Sequence, residues 1–151
     1  MIRVLIADDH QLVRAGLEQL LAGVEDFEVV GTAADGNEAC ALAAIHRPDV
    51  VLMDLSMPNC DGLEATRRLN ASHPEVRVVV LTSFSDQRRI IEAVDSGALG
   101  YLLKDTEPDE LVRALRAVVR DQSPLDPRVA RALIEARRDN GRDVALTPRE
   151  L

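Results

Sequence analysis

Apolar and polar positions follow two rhythms along the chain. Short runs rich in Val, Leu and Ile, at residues 3–7, 27–32, 49–54, 76–81 and 99–102, read as strands. Between them, Gln11 to Ala22 and residues 36–46, 61–71, 86–96 and 107–120 carry apolar residues at helical spacing. In the first helix Leu12, Leu17, Leu20 and Leu21 fall largely on one face, and in the fifth Leu111, Leu115 and Val118 repeat one turn apart. Thr106 with Asp109 is placed to cap that fifth helix. Val50-Val51-Leu52-Met53 and Val76 to Leu81 are almost continuously apolar, as central strands covered on both faces should be. Five strands alternating with five helices predict an α/β fold, a doubly wound five-stranded parallel sheet with helices on both sides.

The pattern changes after Arg120. Asp121-Gln122-Ser123-Pro124 ends the fifth helix, and Asp126-Pro127 supplies a cap and first-turn proline for a further helix over about 127–139, ending at Asn140-Gly141. Its arginines, Arg128, Arg131, Arg137 and Arg138, make it read as a linker helix more than a core element. In the tail, Thr147, Pro148 and Glu150 form a capping-box pattern with Leu146 and Leu151 placed to staple it. That is the start of a helix, and it predicts a following domain of which only 146–151 are included. The division is therefore 1–120 for the main domain, 121–145 for the linker and 146–151 for the next domain.

At 151 residues the chain fits one domain plus a short extension, and that domain can bury a core without disulfides or a structural metal. Aromatic content is 2%, so that core must be aliphatic. A net charge of −8 argues against this stretch gripping a phosphate backbone by itself. No run approaches a membrane span and the N-terminus has no basic-then-apolar leader pattern, so a soluble cytoplasmic protein is expected. Cys40 and Cys60 lack the spacing of a zinc or thioredoxin-like motif and read as reduced thiols. His10, His46 and His73 are scattered and lack the Ser or Cys partner of a catalytic triad.

Of the 18 Lys and Arg residues only Lys104 is a lysine, and it closes the run Leu99-Gly100-Tyr101-Leu102-Leu103. Lysine is a compact point charge where arginine is a planar fork, so the position reads as a chemical requirement. Doubly wound sheets bind ligands beyond the carboxyl ends of their strands. Those ends carry Asp8 and Asp9, Asp54, Thr82 and Lys104. Taken singly, each has an ordinary explanation: an aspartate that turns the chain, a threonine that ends a strand, a lysine paired to Asp54. Three carboxylates meeting at one edge repel unless a cation joins them, and a few hard oxygen ligands suit Mg²⁺ or Mn²⁺. With a hydroxyl at Thr82 and an ammonium at Lys104, the set matches what phosphoryl transfer needs, and Asp54 is then the natural acceptor, forming an acyl phosphate.

These residues resemble the receiver domain of a two-component response regulator. The likeness rests on Asp8-Asp9, on Asp54 within Leu52 to Pro58 followed by Asp61-Gly62, on Leu81-Thr82-Ser83, and on Tyr101 to Lys104, spanning residues 1 to about 120. It implies a flavodoxin-like, CheY-like (βα)5 fold with strand order 2-1-3-4-5. It implies that Asp54 receives a phosphoryl group from a sensor histidine kinase, with Mg²⁺ held by Asp9, Asp54 and the Ser56 carbonyl and assisted by Asp8. Thr82 and Tyr101 would be the switch residues, altering the surface of helices 4 and 5 and the strand between them. The protein would not be an enzyme in the ordinary sense, although it would assist its own phosphorylation and dephosphorylation. Ser56 and Phe84 hold positions that influence loss of the phosphoryl group in this family. Where many receivers place a cis proline after the lysine, this chain has Asp105.

The tail and the run from Asp8 to Leu17 are similar to NarL/FixJ-type regulators, which carry a LuxR-type helix-turn-helix. That implies a transcription factor that dimerises on phosphorylation and binds DNA through its C-terminal domain. A stand-alone receiver acting through protein contacts is the alternative, against which residues 121–151 weigh. A haloacid dehalogenase-type phosphatase would want an acid at position 56, a flavodoxin-like cofactor protein would want a phosphate loop where Asp8-Asp9 stand, and no GxGxxG follows the first strand.

Overall fold

In a computed structural model, residues 1–83 and 89–146 are described, with side chains described for all of these except Ile90 and residues 139–146. The strands are β1 (Ile2–Ala7), β2 (Phe27–Ala33), β3 (Val50–Asp54), β4 (Arg77–Thr82) and β5 (Gly100–Leu103). The helices are α1 (Gln11–Ala22), α2 (Gly36–His46), α3 (Gly62–Ser72), α4 (Ile90–Asp95), α5 (Pro108–Val118) and α6 (Pro127–Leu146). All strand pairs are parallel and the order is β2-β1-β3-β4-β5, as the resemblance implies. The expected start of the fourth helix at 86, Phe84 and tail residues 147–151 lie outside the described residues.

Alternation along the strands divides the core in two. Leu5, Val51, Met53, Val78 and Val80 face α2, α3 and α4 through Ala39, Ala43, Leu63, Leu69 and Ala93. Val4, Ile6, Val50, Leu52, Val79 and Leu102 face α1 and α5 through Leu21, Leu111, Leu115 and Val118. The small α2 residues Ala39 and Ala43 are fully buried and let that helix lie close to the sheet.

Two helices start with the same four-residue device. Asp35 accepts the Glu38 amide at 2.9 Å and Asp61 accepts the Glu64 amide at 3.0 Å, each capping a helix whose first turn also carries the acid that favours its N-terminus. The fifth helix departs from expectation. Its N-cap is Glu107, without a side-chain cap, while the Thr106 hydroxyl donates to the Leu103 carbonyl at 2.6 Å. Pro108 gives the preset first-turn geometry instead. Leu12 is also a correction, being 88% exposed while Leu17, Leu20 and Leu21 turn inward. At about 100° per residue, it lies well off the axis of that stripe.

The linker helix differs more. Its cap is as expected, Asp126 Oδ1 accepting the Arg128 amide at 2.8 Å. It continues through Asn140-Gly141 to Leu146, since a helical glycine costs only about 1 kcal/mol and stops a helix only when the next turn is also unfavourable. It is also part of the core: Val129 is fully buried in the cluster containing Tyr101 and Ala93, and Ala132 and Leu133 pack against it.

Gly62 sets the height of the loop after β3. A Cβ there would lie 2.0 Å from the Asp54 carbonyl oxygen, and the Gly62 amide donates to the Leu55 carbonyl at 2.9 Å. Gly62→Ala should therefore cost about 3 kcal/mol or more, at or above the upper end of ordinary overpacking, because the obstacle is backbone. Urea unfolding measures this, and a loss below about 0.5 kcal/mol would mean that the loop relaxes freely.

Candidate functional site

Asp54 ends β3, while Asp8 and Lys104 each follow a strand by one residue. All three continue the alternation of the α1/α5 side, so three strands deliver them to one place. Lys104 Nζ lies 3.1 Å from Asp54 Oδ1 and 3.3 Å from Asp8 Oδ2. Both aspartates are almost wholly buried, whereas Asp9 beside them is exposed. The backbone supports the arrangement: the Lys104 amide donates to the Thr82 carbonyl at 3.0 Å, and Arg14 Nη1 donates to the Asp8 carbonyl at 2.6 Å.

The electrostatics follow from burial. Burial and the neighbouring Asp8 charge push the Asp54 carboxyl up to about 6, against the opposing pull of Lys104. Burial also works against the Lys104 ammonium, but Asp54 and Asp8 outweigh it and its pKa is raised. Asp54 Oδ2 is buried without a hydrogen-bond partner. Such an orphan acceptor costs free energy unless something positive or protic reaches it.

Asp8, Asp9, His10 and Asp54 can each present a ligand atom within 4.8 Å of the others. A small octahedral cation with bonds of about 2.1 Å needs opposite ligands about 4.2 Å apart, so the set suits Mg²⁺ or Mn²⁺ with slight contraction. The buried, unpartnered Asp54 oxygen is a fit of the same kind. The Ser56 amide donates to Asp54 Oδ1 at 3.4 Å, which puts the Ser56 backbone beside the cluster.

Thr82 is buried at the end of β4, between the strands of Asp54 and Lys104, and its hydroxyl donates to the Ser83 carbonyl at 3.2 Å. Tyr101 is buried on the α2/α3/α4 side of the sheet, the side that the alternation of Val78 and Val80 also gives Thr82, with its hydroxyl donating to the Ala98 carbonyl at 2.5 Å. Burial and Asp95 push its phenol up to about 12.

Two residues escaped the sequence reading. His10 Nδ1 stands 3.0 Å from Asp9 Oδ1 and 3.2 Å from Asp8 Oδ1. Its signal was adjacency to the acid pair rather than any nucleophile partner. Arg89, just before α4, donates to Asp61 Oδ2 at 2.8 Å and to the Leu55 carbonyl at 3.4 Å, tying that helix to the loop after Asp54. Nothing in its local sequence marks it.

The sheet order, with an acid cluster and one lysine at its carboxyl edge, is that of CheY-like receiver domains. The chain belongs to the response regulator receiver domain family, whose model matches residues 4–116. It is 41% identical to the transcriptional regulatory protein LiaR of Bacillus subtilis over 155 aligned positions, covering 100% of this chain and 74% of that protein. It spans 52%, 56% and 61% of the length of three further curated relatives. Among solved structures, a LuxR-family two-component response regulator from Aurantimonas matches with TM-score 0.82 and 34% identity over 89% of this chain and 96% of that one. A structure of RcsB dimers bound to DNA matches with TM-score 0.79 and 28% identity over 87% of this chain and 67% of that one. The relatives are response regulators of the NarL/LuxR type.

The raised Asp54 pKa has a consequence for stability. A carboxyl near 4 when unfolded and about 6 when folded binds its proton more tightly in the native state. The native state therefore gains below pH 4, and that gain is lost as pH rises through 6. In metal-free buffer Asp54→Asn should be more stable than wild type at pH 8, by about 1–3 kcal/mol, with the gap closing towards pH 4. Equal stabilities at pH 8 would show that Lys104 fully offsets the burial.

Proposed function

We propose that Asp54 is a phosphoacceptor and that this receiver switches an output domain according to its phosphorylation. The observation that carries the reading is the Lys104 ammonium bridging two buried carboxylates, one with an orphan oxygen, at the carboxyl edge of the sheet. In transfer from a sensor histidine kinase, an ionised Asp54 oxygen attacks phosphorus. A P–O bond forms as the P–N bond breaks, and the electron pair leaves with the imidazole nitrogen, which takes a proton from solvent. Attack by water on the same phosphorus later returns the carboxylate and inorganic phosphate. With a pKa of about 6, Asp54 is mostly ionised at neutral pH and competent to attack.

Asp8, Asp9 and Asp54, with the Ser56 carbonyl, would hold Mg²⁺ or Mn²⁺. A divalent ion there supplies positive charge against the phosphoryl oxygens. Lys104 leaves its carboxylates to meet one phosphoryl oxygen, and Thr82 gives up the Ser83 carbonyl to donate to another. Breaking the Thr82 bond is a small local event, and Tyr101, anchored to the carbonyl before β5, is the side chain whose packing would register it.

The NarL/LuxR relatives and the RcsB complex support a DNA-binding output domain following residue 146, regulation of transcription, and dimerisation on phosphorylation. No helix among the described residues is long and apolar enough to cross a membrane, in keeping with a cytoplasmic partner of a kinase.

Intact-mass analysis after incubation with acetyl phosphate and Mg²⁺ tests the chemistry. One phosphoryl adduct is expected, lost with Asp54→Asn and with EDTA. A folded wild type that stays unmodified would overturn the reading.

A further inference from the structure

β5 is the outermost strand of the sheet, so the Tyr101 amide and carbonyl on its free edge need partners. The linker provides both. The Tyr101 amide donates to the Pro124 carbonyl at 3.1 Å, and the Asp126 amide donates to the Tyr101 carbonyl at 3.0 Å, with Leu125 bridged between them. One residue before β5, Leu99 accepts the Ser123 hydroxyl. The first half of the strand is thus held by chain that lies beyond the family's matched residues.

The grip continues to the residue next to the site lysine. Asp105 stands where many receivers have proline, and it receives both ends of the Arg128 guanidinium, Nη1 to Oδ2 at 2.9 Å and Nη2 to Oδ1 at 2.7 Å. Arg128 is aimed by the largely buried Asp126, whose oxygens take its Nε at 3.2 Å and Nη2 at 3.1 Å. Arg128 in turn sits one residue before Val129, the fully buried anchor of α6. A planar fork held on both sides fixes direction as well as distance. The turn after β5 is therefore set from two directions, by the Lys104 amide on Thr82 and by Asp105 on the linker.

We propose that Arg128, carried by the linker helix, is a positioning residue for Lys104: by holding Asp105 it fixes the turn after β5 and so the reach of the ammonium to Asp8 and Asp54. The linker is then part of the phosphoryl site's support, and movement of Lys104 and docking of α6 are linked in both directions. The consequence for phosphorylation rate rests on the proposed role of Asp54, whereas the positioning is read without any phosphoryl donor.

The test uses the chain through its linker, with Arg128→Gln, Arg128→Lys and Asp105→Asn, all at exposed or half-exposed positions where folding is retained. Residue-resolved amide exchange should accelerate about fivefold or more at Lys104 and Tyr101 in Arg128→Gln and Asp105→Asn, with Val51 and Leu52 unchanged. Arg128→Lys should restore part of the protection, since a point charge replaces one bond of the fork. Acetyl phosphate labelling should slow about threefold to tenfold in maximal rate, with the half-saturating concentration unchanged. Unchanged exchange at Lys104 would overturn the proposal, and so would faster exchange with an undiminished labelling rate. If wild type forms no adduct yet Lys104 exchange accelerates in the variants, the positioning stands and the phosphoacceptor reading falls.

Discussion

Repulsion among carboxylates is the constraint that the rest of this structure answers. Asp8 and Asp54 sit on adjacent strands, about 4.8 Å apart by sheet geometry, and both are buried where water cannot screen them. The compensating charge comes from β5, two strands from β3, a span of about 10 Å. Lysine is long enough to cross most of that distance, and its ammonium reaches both carboxylates. The chain's one lysine is therefore placed by distance and by charge together. Opposition between burial and pairing leaves Asp54 near 6, a carboxylate that is ionised at neutral pH but poorly satisfied. A fully paired aspartate would be more stable, and on the proposed reading a poorer nucleophile.

Rigidity around Asp54 comes from a loop with little freedom. Gly62 touches the Asp54 carbonyl from one side, and from the other the Gly36 amide at the start of α2 donates to the Cys60 carbonyl at 2.8 Å. Asn59 adopts a left-handed φ of 66° and its amide reaches Asp35 at 3.1 Å. Asp35 and Asp61 thus cap their helices while the residues beside them hold the loop, and Arg89 adds the start of α4 to the same loop. Local capping and site geometry are one set of interactions here.

Much of this could be read from the chain because it is locally encoded. Val50 to Met53 and Val78 to Leu81 have no alternative to being central strands, and the polar residues that close the apolar runs, Asp8, Asp54, Thr82 and Lys104, mark the carboxyl edge where a doubly wound sheet binds its ligands. Features that depend on distant partners were less legible. Thr106 looked like a cap because its spacing to Asp109 fits, yet the Leu103 carbonyl lies closer to its hydroxyl. The arginines of α6 read as a solvated face, whereas Arg128 is turned onto the chain by Asp105 and Asp126, which lie far from it or beside it in ways that spacing does not reveal. Val129, Ala132 and Leu133, at i, i+3 and i+4, carry the buried face, and a stripe this short set among arginines is a weak periodic signal. His10 was judged by the wrong chemistry, since its partners are acids rather than a nucleophile.

The charge balance also sets an order of events. Three carboxylates against one ammonium leave the site about two charges negative when Asp54 is ionised, and His10 offsets this only when protonated. A dianionic phosphoryl donor approaching that site meets repulsion that Lys104 alone cannot cancel. One divalent cation brings the local sum near zero and gives the orphan Asp54 oxygen a partner. On the proposed phosphoacceptor reading, cation binding would precede donor binding, and Asp54 would act as a nucleophile only after that charge is met. On that reading Lys104 would pass from the two carboxylates to the phosphoryl group, one ammonium serving the resting site and the modified one in turn. The turn after β5, which carries Lys104, is the segment that the linker holds through Asp105. How firmly the linker is docked and how readily Lys104 can change partners are in this way set by the same few bonds.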